Sequence, residues 1–221
     1  MRPETWAIAR FTVTMALLAT ALVLPPAIAV GWVLARRDFR GKTLLETVVS
    51  LPLVLPPVAS GLMLLWLFGR RSPFGQLLDT LGIQVIFTWK AVVIAMMVIS
   101  FPLVARSVRA GIEQVDRRFE HIAATLGAGP FRIVRTITLP LASRGIIAGA
   151  ILGFSRALGE FGATIMIAGA IPGQTQTLSV GIYTLVETGR EDAAWSLLAI
   201  SATLAFAAIY LSNRFAERKA I

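Results

Sequence analysis

Residues 11–35 read FTVTMALLATALVLPPAIAVGWVLA, 25 consecutive positions without a charged side chain. A helix rises about 1.5 Å per residue, so about 20 apolar residues cross the hydrocarbon core of a bilayer, and this run is longer than that. A secretory signal is the competing reading, because Arg2 and Arg10 precede the run and Ala27-Ile28-Ala29 has the small residues of a cleavage site. The apolar stretch continues through Gly31-Trp32-Val33-Leu34-Ala35, further than a signal normally extends, which favours a retained helix. Its Pro25-Pro26 pair is expected to bend it.

The pattern repeats outward from this run. Thr47 to Gly69 is uncharged for 23 residues and Ala193 to Asn213 for 21. Val85 to Ala105 is interrupted only by Lys90, and Gly145 to Pro172 only by Arg156 and Glu160. These runs are continuous instead of alternating with period two, so they predict helices and not barrel strands. The expected fold is an all-α transmembrane bundle of five spans, at about 11–35, 47–69, 85–107, 145–170 and 193–213, in one domain covering residues 1–221. The composition agrees: 56% of the residues are hydrophobic, 15% are charged and the mean hydropathy is +0.76. No internal repeat is evident, which argues against an inverted-repeat secondary transporter.

A net charge of +9 invites a nucleic-acid partner, and the location of the charges decides against it. Fourteen of the 21 Lys and Arg residues fall in three places: Arg36 to Lys42, Arg106 to Arg144, and Arg214 to Lys219. Arg2, Arg10, Arg70, Arg71 and Arg190 fall on the other side, with Lys90 at the edge of a span and Arg156 inside one. Basic loops stay in the cytoplasm, so the N-terminus is expected outside and the C-terminus inside, in the cytoplasmic (inner) membrane. Cysteine is absent and His121 is the only histidine, which removes disulfides and nearly every His- or Cys-based metal site. No HExxH, GxSxG or Walker phosphate loop occurs, so no catalytic residue and no metal or cofactor is assigned to this chain. Any ATP and magnesium used must sit on a partner.

One polar segment stands out. Residues 111–143 are too long for a simple hairpin between helices, and within them Glu120 to Pro140 read EHIAATLGAGPFRIVRTITLP. Asp116 suits a helix N-cap, and Phe119, Ile122, Ala123 and Leu126 follow at i, i+3, i+4 and i+7 as one apolar stripe. Gly127 and Gly129 stop that helix, Pro130 opens a second short one, and Leu139-Pro140 is expected to turn the chain into the next span. Periodicity alone is equally compatible with an amphipathic helix lying on lipid headgroups.

The spacing Gly127, nine residues, Ile137-x-Leu139-Pro140 resembles the cytoplasmic signature of ABC importer permeases, written EAA, three residues, G, nine residues, I-x-L-P. The departure is at the front, where His121-Ile122-Ala123 stand at the Glu-Ala-Ala positions and a glutamate comes one place early, at Glu120. The resemblance implies a coupling helix that docks on a cytoplasmic ATPase subunit, with Glu120, His121, Ala123, Gly127, Ile137, Leu139 and Pro140 as coupling residues. LPLVLPP at 51–57, SRALGEFGAT at 155–164, IPGQTQT at 171–177 and IYTL at 182–185 are similar to permeases for tetrahedral oxyanions, those of molybdate above all. Sulfate permeases share the first two stretches. The resemblance implies a type I importer permease for molybdate or tungstate that homodimerises and takes its anion from a periplasmic binding protein. Sulfate or thiosulfate import is the alternative inside the family, and a passive anion channel or lipid-binding scaffold the alternative outside it.

Arg156 and Glu160 lie at i, i+4 near the middle of the fourth expected span, on one helix face. An unpaired charge at the bilayer centre costs about 2.5 to 3.5 kcal/mol on insertion scales, so both should face protein or water. A packing ion pair and a charge-balanced station for a passing anion both satisfy that requirement. Pro52, Pro56, Pro57 and Gly61 admit the same two readings, a kink for packing or a break lining the pathway. Gly149, Gly153, Gly159 and Gly162 are read as close-contact surfaces between helices. The candidate pathway residues are Arg156, Glu160, Pro56 and Pro57.

Overall fold

The computed structural model describes residues 3–217. Arg2, Arg218 and Lys219 of the charge count lie outside that range. The chain forms α1 (Pro3–Arg36), α2 (Lys42–Val54), α3 (Pro57–Phe68), α4 (Pro73–Thr80), α5 (Trp89–Glu113) and α6 (Arg117–Thr125). It continues as α7 (Pro130–Leu158), α8 (Gly162–Ala168), α9 (Leu178–Glu187) and α10 (Glu191–Glu217).

Helix α5 is the axis. Thirteen of its 25 residues are buried, among them Met96, Ile99, Val104, Val108 and Ile112. Helix α1 packs along one flank and α7 along the other, α10 lies against α7, α3 packs on α8, and α9 on α10. Small residues set the α5–α7 spacing. A Cβ built on Gly145 would lie 2.7 Å from Gly111 Cα, one on Gly149 2.8 Å from Ser107 Cβ, and one on Gly153 2.3 Å from Val104 Cγ2. In lipid the apolar side chains gain little by leaving the bilayer for a partner helix, so close backbone approach over small residues supplies the dispersion that holds spans together.

Among the described residues four helices are long and apolar enough to cross a membrane: α1, α5, α7 and α10. The expected second span, 47–69, is instead a bent pair, with α2 and α3 meeting at 111°. Leu55 is extended and Pro56 caps α3, whose first residue is the second proline, Pro57. Two adjacent prolines remove two backbone donors and push the residue before each out of the helical region, so the helix ends there. Counting the pair as one span gives five. No residue of α2 is buried, and polar groups fasten it to α5: Arg109 Nη1 donates to Glu46 Oε1 at 2.6 Å and Arg106 Nη2 to Ser50 Oγ at 2.8 Å.

Three other expectations change. The third span starts at Trp89 and not near 85, because Phe87 takes φ 58° and Thr88 is extended, making a corner before the helix. The fourth does not run unbroken over 145–170. Helix α7 begins far earlier, at Pro130, and ends at Leu158, and a non-helical step at Gly159–Phe161 precedes the short α8. Leu139-Pro140 does not turn the chain. Residues Val134–Thr138 form a π turn in which Leu139 N–H donates to Val134 O, and both Leu139 and the turn stay helical, so the proline is absorbed into one continuous helix. Helix α1 likewise runs through Pro25 and Pro26 without interruption for 34 residues.

Candidate coupling surface and charged helix break

Helix α6 is built by local chemistry. Asp116 Oδ1 accepts from Arg118 N at 2.9 Å, the N-cap bond that its position suggested. At the other end Gly127 adopts φ 83°, Gly127 N donates to Ala124 O at 3.0 Å and Ala128 N to Ala123 O at 3.0 Å, closing the last carbonyls. A left-handed residue there is the reason for a glycine. Gly129, extended, leads into Pro130, the first residue of α7. The apolar stripe is only partly turned inward. Ala123 is half-buried, whereas Phe119, Ile122, Leu126 and the nearby Phe131 of α7 are 54%, 58%, 82% and 79% exposed. Four large apolar side chains standing off one end of the bundle, flanked by Arg118 and Arg132, form an unpartnered surface.

Glu120 points the opposite way. Its Oε1 accepts from Arg36 Nε at 3.1 Å and from Thr138 Oγ1 at 2.7 Å, joining the last residue of α1 and the π turn of α7. Arg36 Nη2 also donates to Val115 O at 2.8 Å. His121 and Gly127 are exposed, Ile137 and Leu139 half-buried, and Pro140 exposed, so of the seven residues read as coupling residues only some lie on the outer surface. A cavity of about 420 Å³ between α6, α1 and α7 is lined by His121, Glu120, Trp32 and Ala128 among others. Beside it Arg37 stacks over Trp32, 5.5 Å from the ring centroid. In the loop that follows, Lys42 donates to Asp38 and holds its carboxyl below the usual carboxylate value.

Arg156 and Glu160 do come together, but not on one helix face. Arg156 is in the last turn of α7 and Glu160 in the break beyond its end. Arg156 Nη1 lies 3.1 Å from Glu160 Oε2, while Glu160 Oε1 accepts from Ala163 N at 2.8 Å, near the start of α8. The glutamate is 1% exposed and the arginine side chain 33%, so the carboxylate is sealed inside while the arginine stays part-exposed. The break at Pro56-Pro57 is adjacent: a Cβ on Gly162 would lie 2.7 Å from Pro57 Cβ and 3.0 Å from Val58 N. All four residues read as a pathway therefore converge where two interrupted helices abut. Gly61 packs on Ala163 and Met166, and Gly162 on Pro57, as close-contact glycines; Gly159 is not one of them, being exposed with nothing within 4 Å of a Cβ. It ends a helix instead.

Sequence reasoning missed Arg36, Thr138 and Arg117 around Glu120. Arg36 lies 84 positions from Glu120, and no periodicity connects them. Also missed were Ser60 and Thr164, whose buried hydroxyls on α3 and α8 have no hydrogen-bond partner within the described residues.

Residues 27–220 match the family described as binding-protein-dependent transport system inner membrane component. The chain belongs to this family. Over 217 residues it is 45% identical to the molybdenum transport system permease protein ModB of Escherichia coli strain K12, covering 97% of this chain and 94% of that protein. It is 38% identical over 192 residues to the sulfate transport system permease protein CysT of Salmonella typhimurium, covering 85% of this chain and 69% of that one. Among solved structures, a chain of a bacterial alginate ABC transporter bound to its periplasmic protein superposes with a TM-score of 0.74 over 99% of this chain and 80% of its own, at 16% identity. The MetNI methionine ABC transporter gives 0.67 over 97% and 99%, at 17% identity. The fold is thus that of ABC importer permeases, and as a family member the chain is an inner-membrane transport component.

Proposed function

We propose that this chain is the transmembrane permease subunit of an ATP-driven importer of molybdate, with tungstate as a close analogue. The observation that carries the reading is its similarity to a molybdenum permease along almost the whole of both chains. In this reading the α6 end is cytoplasmic, the N-terminus of α1 is outside, and two copies pair around a central path. The exposed Phe119, Ile122, Leu126 and Phe131 seat in a cleft of a separate ATPase subunit that holds ATP and magnesium. A periplasmic oxyanion-binding protein delivers the anion to the opposite end. The chain itself makes and breaks no covalent bond.

The path runs past the two helix breaks. A tetrahedral dianion needs positive potential to enter a low-dielectric bundle, and it needs that potential weakened in order to leave. Arg156 supplies the first and Glu160 the second. With the carboxylate already holding Nη1, the part-exposed arginine offers a passing anion only the charge that Glu160 leaves unbalanced. The Pro56-Pro57 break brings the N-terminal end of α3 beside this pair, adding backbone dipoles of the same sign as the arginine. ATP binding draws the ATPase subunits together, moves the coupling helices and selects the outward-open arrangement; hydrolysis returns it. Each ligand shifts the two-state balance only by its preference for one arrangement.

The deciding experiment is ATP hydrolysis and uptake by the complex reconstituted in vesicles with its binding protein, comparing molybdate, tungstate and sulfate. Stimulation by molybdate and tungstate is the expected outcome. Stimulation by sulfate alone would replace the substrate with the one suggested by the similarity to a sulfate permease. A passive channel would conduct without ATP, and a lipid-binding scaffold would tolerate two residues inserted at Gly129, which in an importer uncouple uptake from hydrolysis.

A further inference from the structure

We propose that Glu120 is a positioning residue that joins α6, the end of α1 and the π turn of α7 into one mechanical unit. The proposal rests on the coupling role given to α6 above and says how its displacement reaches the spans.

Helix α6 has no buried residue, and its large apolar side chains face outward, so apolar packing does not seat it on the bundle. Its seat is polar. Glu120 Oε1 receives Arg36 Nε and Thr138 Oγ1 together, and Arg36 uses a second nitrogen on Val115 O, immediately before the N-cap of α6. Arg117, the first residue of α6, reaches back to Ala35 O at 3.3 Å. The last turn of α1 and the first turn of α6 therefore exchange arginines, each guanidinium bonding a backbone carbonyl of the other segment. The junction is shielded: the side chains of Arg36 and Glu120 are 7% and 18% exposed, and Thr138 is fully buried. Ionic hydrogen bonds held away from water are directional and little screened by salt.

Thr138 marks the arrangement as specific. Other threonine hydroxyls in this region bond back to their own helix, Thr136 to Arg132 O and Thr125 to Ile122 O. Thr138 turns its hydroxyl sideways to Glu120. It does so from the π turn, where the regular ladder is relaxed and local rotation of α7 is easiest. Without this bond, a push on α6 would be absorbed by pivoting at its two short connections, one of which contains the left-handed Gly127. With it, the push is delivered at once to α1 and α7, the two helices that flank α5, and α7 carries Arg156 at its far end.

The test measures ATP consumed per anion imported by the reconstituted complex. Thr138→Val should raise that ratio several-fold, with the ATPase subunit still retained on the permease, while Thr138→Ser, which keeps the donor, should behave as the unmodified chain. Glu120→Ala and Arg36→Met should each raise the ratio, and the double variant should be no worse than the more severe single one, because both remove the same junction. As the chain has no cysteine, spin labels at Val33→Cys, in the last turn of α1, and Thr125→Cys report the α1–α6 separation directly. That distance should stay constant between nucleotide-free and ATP-bound states and broaden when Thr138→Val is added. Normal stoichiometry in Thr138→Val and Glu120→Ala overturns the proposal. So does loss of the ATPase subunit in Glu120→Ala alone, which would make Glu120 a docking contact. A complex whose unmodified form shows no oxyanion-stimulated hydrolysis overturns the importer reading instead, so the two failures are distinguishable.

Discussion

Gly145 and Gly111 face each other with no room for a side chain, since a Cβ on either approaches the other backbone to 3.0 Å or less. Backbone cannot yield as a flexible side chain does. Gly145→Leu should therefore prise α5 from α7 at a cost at or above the roughly 1–3 kcal/mol of ordinary overpacking, visible as a lower thermal midpoint in detergent. Glu160→Ala removes both the partner of Arg156 and the acceptor of Ala163 N–H. Arg156 stays part-exposed, so the main cost is the buried Ala163 N–H left without an acceptor, about 1–3 kcal/mol, and this variant should be depleted from membranes. Glu160→Gln keeps the acceptor and should accumulate better. Arg156→Met should assemble with the ATPase yet fail to import; loss of the assembled complex would assign the arginine to packing. At this scale the sequence was readable where the interaction is local. Asp116 and Gly127 declare a helix start and stop through bonds spanning only a few residues. Arg36 and Thr138 declare nothing about Glu120.

Elements were legible wherever apolar length alone decides. Helices α1 and α10 contain the expected spans and α5 covers the third from residue 89 on, and each runs past the C-terminal end of its apolar stretch because a helix continues until a cap or break stops it. The breaks were harder. Pro56-Pro57 announces an interruption but not its angle of 111°, which depends on how α3 seats against α8 through Gly61 and Gly162. Leu139-Pro140 misled in the other direction, because a proline is compatible with a helix when a π turn supplies the slack before it. Pro140→Ala should let that turn relax to a regular α-helix, rotating the preceding residues by about 100° and carrying Thr138 off Glu120. The expected result is an unchanged or higher thermal midpoint together with more ATP consumed per anion. An unchanged ratio would show that the turn has no part in coupling.

For the whole molecule, the spans alternate in direction and gather the polar ends at two poles. Glu4, Arg10, Gly173 and Arg190 border one cavity, at the pole opposite Arg36 and α6. Single cysteines in this cysteine-free chain test the proposed sidedness. Arg40→Cys should react with a membrane-impermeant maleimide only from the cytoplasmic side, and Gln174→Cys only from outside. The reverse pattern would invert the molecule and place α6 beyond reach of any ATPase.

Composition and apolar run length by themselves determined a helical membrane protein, and the stretch from Gly127 to Pro140 carried the resemblance to its family, because both depend on residues close together in the chain. Only the tertiary structure decided that Glu120 turns inward to Arg36 and Thr138, and that Arg156 and Glu160 meet across a helix end beside a second break. The Glu120 contacts span 84 and 18 positions, and the second break, at Pro57, reaches Gly162 from far along the chain; they exist because α1, α5 and α7 pack at one particular spacing, set by glycines whose partners no local pattern reveals.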